Sequence, residues 1–358
     1  MTTRMKLAGT VGGLALALAA GAALTCSAAF GAQASLLETG STLLYPLFNV
    51  WVPPYQHDHA GVQITTQGTG SGTGISQAIS GIAQIGASDA YMSDAQMKKS
   101  PGILNIPLAI SSQMVNYNLP GLNDQHLKLS GPVLADIYSG KVTYWDDAKL
   151  KELNPGVNLP HQQIIPVHRT DGSGDTFIFS QYLSFSTPSW ANSVGYGTTI
   201  SWPAVQGGIG AVGNPGMVNA TKGNPYSITY IGISFKNATT EAKLGEAMLQ
   251  NRAGKFVLAN DQTVGAAVGE MAAKTPKDER ISLIFAPGDN SYPIINYEYV
   301  IVKEQQPSKE VADAVRAFLE WGIDPAGGSA AKYMQAVGFV PLPPAIITLS
   351  KAQLATIK

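Results

Sequence analysis

Three short segments rich in glycine, serine, threonine and aspartate each stand directly before an apolar pattern with helical spacing. They cover residues 40–42, 68–74 and 171–176. The first N–H groups of a helix have no partner inside it, and the aligned peptide dipoles make that end partly positive. Such an end suits an anion. Three of them in one chain, with Arg169 beside the third, predict a tetrahedral oxyanion held from several sides.

The residues around the second segment predict a β-α-β unit. The alternating stretch 62–65 is typical of a short strand, the apolar spacing over residues 75–82 predicts a helix, and residues 85–89 predict a strand that ends in a turn. A strand, a glycine-rich loop, a helix and a strand in this order favour an α/β fold.

Elsewhere the apolar spacing predicts helices over residues 42–55 and 244–258. The stretch 202–225 is rich in glycine, asparagine and proline and predicts loops and turns.

Two apolar stretches, residues 106–115 and 291–302, indicate that the chain leaves one lobe and later returns to it. Two crossings rather than one linker predict two lobes joined by a hinge. The expected division is a signal peptide over residues 1–34, lobe I over residues 35–108 and 292–358, and lobe II over residues 109–291.

The first residues have the order of a secretory signal. Arg4 and Lys6 precede an uncharged stretch rich in alanine, leucine and glycine, and small residues follow it. We expect cleavage near Ala32 to Ala34 and an exported protein, in the periplasm or on the outer face of the cytoplasmic membrane. Two alternatives remain open, a retained membrane anchor and acylation at Cys26, the only cysteine of the chain.

Composition narrows the classes of function. Hydrophobic residues make up 45% of the 358 residues, and the formal net charge is −1. The chain can therefore bury a substantial core, but it has no broad basic field to attract nucleic acid or an acidic membrane. Any anion binding must be local, and nucleic acid is not an expected partner.

The sequence offers little for catalysis. Ser71 and Ser173 each lack the glycine two residues earlier that a Gly-x-Ser-x-Gly motif requires, and no cysteine–histidine cluster has metal-ligand spacing. Residues 68–74 fit neither the P-loop nor the dinucleotide-binding pattern, and a flexible turn is the alternative interpretation. We therefore expect no enzyme activity, no metal and no cofactor.

Arg169 and Asp171 are the next candidates. A guanidinium offers a planar fork of donors that matches two oxygens of one phosphate group, and Asp171 could hold this fork in place. A surface ion pair of little energetic value is the alternative interpretation.

Asp89 and Asp175 are unexpected beside an anion, because a carboxylate repels a fully ionised ligand. An ionised aspartate is only an acceptor, so it binds a ligand that supplies a proton. Phosphate near neutral pH keeps one or two protons and sulfate keeps none, so such a carboxylate would reject sulfate. Each aspartate could instead cap a turn or a helix.

At these residues the chain resembles the phosphate-binding proteins of the bacterial phosphate ABC importers, the PstS family of periplasmic solute-binding proteins. Several segments carry the resemblance and follow the family's order through nearly all of the chain after the signal. They are residues 38–46, 68–72, 85–90, 134–140, 145–147, 153–156 and 169–174.

The resemblance implies a two-lobed α/β fold of the periplasmic-binding-protein type, with two α/β domains joined by a two-strand hinge and the ligand in the cleft. It implies that an exported, monomeric solute-binding protein captures inorganic phosphate and delivers it to the membrane permease of a phosphate ABC importer. A secreted phosphatase-like enzyme and a surface interaction protein on the same fold remain alternatives.

The resemblance also assigns site residues by motif. Ser41, Thr42 and Leu43 would supply hydroxyl and backbone donors, Ser71 a further donor, and Asp89 the acceptor for a phosphate proton. Arg169 would pair with phosphate and be oriented by Asp171. Ser173 and Gly174 would donate from the third helix start. Asp175 stands where many members have threonine, so its backbone N–H could bind while its side chain repels a dianion or points away.

Overall fold

The computed structural model describes residues 34–358, in which strands and helices alternate. The signal-peptide prediction, apart from Ala34, lies outside the described residues, and so do Cys26 and the cleavage position at Ala32. The strands are β1 (Ala34–Gly40), β2 (Val62–Gly68), β3 (Ile85–Ser88), β4 (Ile103–Asn118), β5 (Lys128–Leu129), β6 (Ile165–Arg169), β7 (Ile209–Ala211), β8 (Ser227–Gly232), β9 (Gly245–Glu246), β10 (Met248–Gln250), β11 (Phe256–Val257) and β12 (Ile295–Lys303).

The helices differ widely in length. They are α1 (Tyr45–Asp58), α2 (Ser71–Ser80), α3 (Asp94–Lys99), α4 (Gly131–Tyr138), α5 (Ala148–Leu153), α6 (Gly174–Ser186), α7 (Pro188–Ser193), α8 (Gly213–Gly223), α9 (Lys236–Glu241), α10 (Asp261–Met271), α11 (Lys309–Ile323), α12 (Ala331–Val337) and α13 (Pro344–Leu354). Within residues 34–358, none of these helices is both long and apolar enough to cross a membrane.

The principal sheet is mixed, and its strand order is β2-β1-β3-β12-β4-β8-β6-β7, with β9 beside β4. Strand β1 runs parallel to β2 and β3, and β6 runs parallel to β7 and β8. Strand β12 is antiparallel to both β3 and β4. A second, small sheet has the order β11-β10-β5. The carboxyl ends of β1, β2 and β6 lead into the three glycine-bearing segments, and the carboxyl end of β3 leads into Asp89.

Strands β4 and β12 form the centre of the principal sheet. They pair from Ile295 with Ser112 to Lys303 with Ile103, and nearly every side chain along both strands is buried. Burial on both faces favours the apolar residues that make up most of these strands, and the polar residues among them, such as Gln113 and Glu298, are buried as well. The two stretches expected to cross between lobes fall largely within these strands.

Helix α1 is held in place by its aromatic face. Phe48, Trp51 and Tyr55 are buried one turn apart and pack on Phe318 and Trp321 of α11. The Trp51 indole N–H also donates to the carbonyl of Gly328 at 2.8 Å. Burying a side chain of this size is worth about 1.5–3 kcal/mol, so this packing holds α1 against α11.

The boundaries of the first predicted helix were three residues early, because residues 42–44 form a turn before α1. The helix predicted over residues 244–258 was wrong, since this stretch forms β9, β10 and β11. The Asn251 side chain accepts hydrogen bonds from the N–H groups of Ala253 and Lys255 and so closes the turn between β10 and β11. The local turn and the pairing of β10 with β5 outweigh the helical spacing.

The prediction of loops and turns over residues 202–225 was wrong in part, because it missed β7 and α8. Helix α8 contains three glycines and one proline, which disfavour a helix in isolation. It forms because Met217, Val218 and Thr221 are buried, and the helix packs on β6 and β8. Tertiary packing stabilises most helices of this length.

Candidate functional site

The three glycine-bearing segments meet in space. The N–H groups of Thr69 and Gly70 donate to the carbonyl of Gly40, at 2.9 and 2.7 Å, and the N–H of Gly72 donates to the carbonyl of Gly172 at 2.8 Å. A Cβ atom on Gly174 would collide with the Asp89 carboxylate and the Ser71 hydroxyl. We call this meeting point the anion site and define it by Ser41, Ser71, Asp89, Arg169 and Ser173.

Ser41 lies between the end of β1 and the start of α1. Its hydroxyl oxygen accepts hydrogen bonds from the N–H groups of Leu43 and Leu44, both at 3.0 Å. The same hydroxyl donates to Asp89 Oδ1. The N–H group of Leu43 therefore lies at the site, and its hydrogen-bond acceptor there is the Ser41 hydroxyl.

Ser71 is the first residue of α2, and its hydroxyl faces Asp89 from the second segment. It donates to Asp89 Oδ2 at 3.4 Å and accepts from the Asp89 N–H at 3.2 Å. Gly70, just before the helix, has φ +91°, which favours glycine. A Cβ at Gly70 would also lie 2.6 Å from Asp171 Oδ2, so the close approach of the segments requires this glycine.

Arg169 ends β6 with its side chain almost fully buried. Its Nε donates to Asp171 Oδ1 at 2.6 Å, its Nη2 pairs with Asp171 Oδ2, and its Nη1 donates to Asp175 Oδ2 at 2.8 Å. Burial raises the pKa of Asp171, but the guanidinium outweighs this effect and holds that pKa below its ordinary value. The pairing of Arg169 with Asp171 is therefore a buried, two-bond contact and not a surface ion pair.

The side chain of Asp175 points toward Arg169. Besides Arg169, its carboxylate accepts from Gln113 Nε2 at 3.1 Å and from Asn214 Nδ2 at 2.8 Å. Burial raises the pKa of Asp175, and these donors oppose the shift. The carboxylate is satisfied within the protein, so it does not face the site as a free charge.

Helix α6 begins beside these side chains. The Ser173 hydroxyl caps the helix by accepting from the Thr176 N–H at 3.1 Å. The N–H groups of Gly174 and Asp175 occupy the first two positions of α6 and have no partner inside the helix. These two N–H groups can therefore donate hydrogen bonds to an anion at the start of α6.

Thr42 is linked to a residue that the sequence analysis missed. Its hydroxyl oxygen accepts from both the N–H and the Nδ2 of Asn214, at 3.1 and 3.0 Å. Asn214 Oδ1 accepts from the Gly232 N–H at 2.9 Å. Asn214 thus joins the first segment, Asp175 and the end of β8.

Comparison with known proteins fits this arrangement. A model of the PBP superfamily domain matches residues 27–325. The phosphate-binding protein PstS of Methanocaldococcus jannaschii is 38% identical over 325 residues, which cover 85% of this chain and 82% of that protein. The chain belongs to the family of the PstS phosphate-binding proteins.

Solved structures place the chain in the periplasmic-binding-protein-like fold. A high affinity periplasmic phosphate-binding protein (PfluDING) bound with phosphate superposes with a TM-score of 0.71 at 21% identity, covering 89% of this chain and 93% of that one. An ABC-type phosphate transport receptor from Vibrio cholerae gives a TM-score of 0.55 at 17% identity, covering 86% of this chain and 100% of that one.

Four buried charged side chains set the electrostatics of the anion site. Asp89, Asp175 and Glu298 are 2%, 1% and 0% exposed, and Arg169 is 3% exposed. Burial, and then the charges of Glu298 and Asp175, raise the pKa of Asp89 well above its ordinary value. The surroundings therefore oppose extra negative charge and favour a ligand that brings a proton.

Three buried polar residues of the site region were missed by sequence reasoning. Asn214 lies in the stretch that was predicted as loop. Gln113 and Glu298 lie within β4 and β12; the carboxylate of Glu298 among apolar residues of β12 is a signal that could have found it, whereas Gln113 lies among other polar residues of β4. Across residues 34–358, no cluster of three histidine, cysteine, aspartate or glutamate side chains is suited to hold a metal ion.

Proposed function

We propose that this chain is an exported receptor that binds one inorganic phosphate ion in the anion site and delivers it to an ABC-type import permease. The observation that carries the proposal is the convergence of three helix starts on one buried guanidinium and one buried acceptor, Asp89. Family membership supports phosphate as the ion. The protein acts by binding and release and not as an enzyme.

Phosphate oxygens would be held by donors from each segment. Ser41, Thr42 and Leu43 contribute from the start of α1, Ser71 contributes from α2, and the first turn of α6 contributes Ser173, Gly174 and the Asp175 N–H. Arg169 supplies the positive charge, and Asp171 keeps its guanidinium plane fixed. Because these groups are already positioned, little side-chain freedom is lost on binding.

Selectivity for phosphate follows from the buried acceptor. Asp89 is 2% exposed, so an ionised Asp89 meets the ligand only as a hydrogen-bond acceptor and with little screening by bulk water. Phosphate supplies an O–H and sulfate does not. Placing sulfate beside Asp89 would leave two acceptors facing each other, which costs binding free energy.

We further propose the lobe division given above, residues 35–108 with 292–358 and residues 109–291, with β4 and β12 as the hinge. The hydrogen bonds from Gly72 to Gly172 and from Asn214 to Thr42 would then cross the cleft. Ser41, Ser71 and Ser173 are at most 1% exposed, so the ion cannot reach them unless these crossing contacts separate. Hinge opening provides that access.

Export is the remaining part of the proposal. Strand β1 begins at Ala34, where its N–H donates to the carbonyl of Gly61 at 3.0 Å. Cleavage after Ala32 would leave this strand intact, which suits a mature, monomeric receptor outside the cytoplasmic membrane.

Isothermal titration calorimetry of the mature chain with phosphate, with and without excess sulfate, tests the proposal. We expect one phosphate per chain and an affinity that excess sulfate does not change. Absence of phosphate binding, or equal competition by sulfate, would contradict it.

A further inference from the structure

Glu298 lies directly behind Asp89. Strand β12 pairs with β3 so that Tyr299 stands opposite Ser88, and Glu298 and Asp89 are the chain neighbours of this pair. Asn296 bridges the two residues, because its Nδ2 lies 3.3 Å from the Asp89 carbonyl and 3.1 Å from Glu298 Oε1. Two buried carboxyl groups therefore face each other at the back of the anion site.

The hydrogen bonds of Glu298 are asymmetric. Its Oε1 accepts from Ser111 Oγ at 2.5 Å and from Asn296 Nδ2 at 3.1 Å. Among residues 34–358, no donor lies within hydrogen-bond distance of its Oε2. That oxygen is fully buried, and the Glu298 side chain lies within hydrogen-bond reach of the Asp89 carboxyl.

Two ionised carboxylates cannot form that hydrogen bond, because both are acceptors. A shared proton removes the repulsion and supplies the missing donor, as in other close carboxyl pairs. The groups around the pair do not replace this proton. Strands β3 and β4 and helix α2, which pack on β12, carry no charged residue, and the nearby Asp175 is paired with Arg169.

We propose that Glu298 is a positioning residue for phosphate selectivity, which keeps one proton on the Asp89–Glu298 pair and so limits the negative charge that the bound ion meets. This inference rests on the proposed phosphate-binding function. With Glu298 protonated, its O–H donates to Asp89, and Asp89 remains an acceptor for the ligand. With Glu298 ionised, a second negative charge stands behind Asp89 and repels the anion.

The affinity for phosphate should depend on pH through the protonation of Glu298. Burial raises the pKa of Glu298 to about 7, and hydrogen bonds with Asp89, Ser111 and Asn296 limit the shift. Burial also raises the pKa of Asp89 well above its ordinary value. Glu298 is therefore protonated at acid pH and loses its proton as pH rises through about 7. The pair gains a negative charge behind the site over this interval, so phosphate affinity should fall over the same interval.

Glu298→Gln is the matched variant. The glutamine Oε1 can keep its bonds from Ser111 and Asn296, and its amide N–H₂ can donate to Asp89 at the position of Oε2. The amide therefore imitates the protonated acid but cannot ionise. Glu279→Gln is the control, because Glu279 is also fully buried with its pKa raised to about 7 by burial, but its carboxylate is bound by Ser350 and Gln353 of α13.

Phosphate dissociation constants of the three proteins are compared from about pH 5.5 to about pH 8.5. The ratio between wild type and variant cancels the titration of phosphate itself. For Glu298→Gln we expect similar affinities at the acid end and an advantage of about tenfold or more over wild type at the alkaline end. For Glu279→Gln the ratio should stay constant.

Parallel curves for wild type and Glu298→Gln would overturn the inference while leaving phosphate binding intact. Absence of phosphate binding by wild type at every pH would instead contradict the proposed function, and the inference with it. If Glu298→Gln does not fold, the pKa of Glu298 can be measured instead, with and without phosphate, from carbon-13 spectra of glutamate-labelled protein that carries Glu279→Gln. Binding that favours the protonated pair must raise the pKa of Glu298 when phosphate is added, and an unchanged pKa would refute the inference.

Discussion

At the scale of single residues, Arg169 carries the positive charge of the anion site. Its guanidinium is held by Asp171 and Asp175, so its position is set before any ligand arrives. Asp89 has the hydroxyl groups of Ser41 and Ser71 as hydrogen-bond partners. One fixed cation and one fixed acceptor are what a partly protonated oxyanion needs.

Arg169→Ala should weaken phosphate binding by about 2–4 kcal/mol, or roughly thirtyfold to a thousandfold, because it removes charge-assisted hydrogen bonds from a buried site. Calorimetry measures the affinity, and thermal unfolding shows whether the chain remains folded. Arg316→Ala is the control, because Arg316 pairs with Asp313 on the partly exposed side of α11. Unchanged affinity in Arg169→Ala would remove Arg169 from the account.

Asp89→Asn should weaken phosphate binding less than Arg169→Ala does and should relax the rejection of sulfate. The amide can donate to sulfate, whereas the carboxylate cannot. The ratio of the phosphate and sulfate dissociation constants is the quantity to compare with wild type. An unchanged ratio would mean that Asp89 does not test for a ligand proton.

The site residues found from the sequence share one property. Ser41, Asp89, Arg169 and Ser173 lie in or beside turns whose composition is itself unusual. Asn214 and Glu298 could not be found in this way, because their importance comes from partners far along the chain. Asn214 meets Thr42 across 172 positions, and no local pattern announces such a contact.

At the scale of elements, the starts of α1, α2, α6 and α8 meet around the anion site. Helix α8 is fixed there by Asn214, whose side chain reaches Thr42, Asp175 and Gly232. The helix was not expected from its glycine-rich sequence, and its packing on β6 and β8 explains why it forms. The β-α-β unit around α2 was predicted correctly because its loop and its two strands have strong local signals.

Asn214→Ala should lower the free energy of unfolding by about 1–3 kcal/mol, since it leaves buried partners without hydrogen bonds, and it should also weaken phosphate binding. Urea denaturation and calorimetry measure the two effects. Asn224→Ala at the other end of α8 is the control, because Asn224 bonds only locally, to the Ala220 carbonyl at 2.7 Å. Equal affinity losses in both variants would contradict a specific role for Asn214.

Helix α13 should respond to pH through Glu279, which Ser350 Oγ and Gln353 Nε2 contact at 2.8 and 2.6 Å. Burial raises the pKa of Glu279 from 4.5 to about 7, so the folded chain binds this proton more tightly than the unfolded chain. The resulting stability is complete below the unfolded pKa and is lost as pH rises through about 7. The Tm of Glu279→Gln relative to wild type should therefore rise between about pH 5 and about pH 8, and a constant difference would contradict the assignment.

At the scale of the whole molecule, the family and its fold could be recognised from the sequence because motifs such as residues 169–174 keep their order along the chain. The antiparallel pairing of β4 with β12 could not be predicted from the sequence. Strands that are buried on both faces lack the alternation of apolar and polar residues that would indicate their register. The helix wrongly expected over residues 244–258 shows the same limit, since β10 is specified by its distant partner β5.

The proposed hinge predicts a change of shape on binding. The anion site is closed off from solvent, so the phosphate-free chain must open for the ion to enter. Small-angle X-ray scattering should give a smaller radius of gyration with phosphate than without it, and sulfate should leave the radius unchanged. A radius that phosphate does not alter would contradict closure around the ion.

The central claim is that three helix starts, Arg169 and Asp89 together hold one protonated oxyanion. A crystal structure of the mature chain grown with phosphate tests this claim most directly. We predict one tetrahedral ion within hydrogen-bond distance of the Arg169 guanidinium, the Asp89 carboxylate and the first N–H groups of α6. A tetrahedral ion bound elsewhere, or an anion site that stays empty at saturating phosphate, would contradict it.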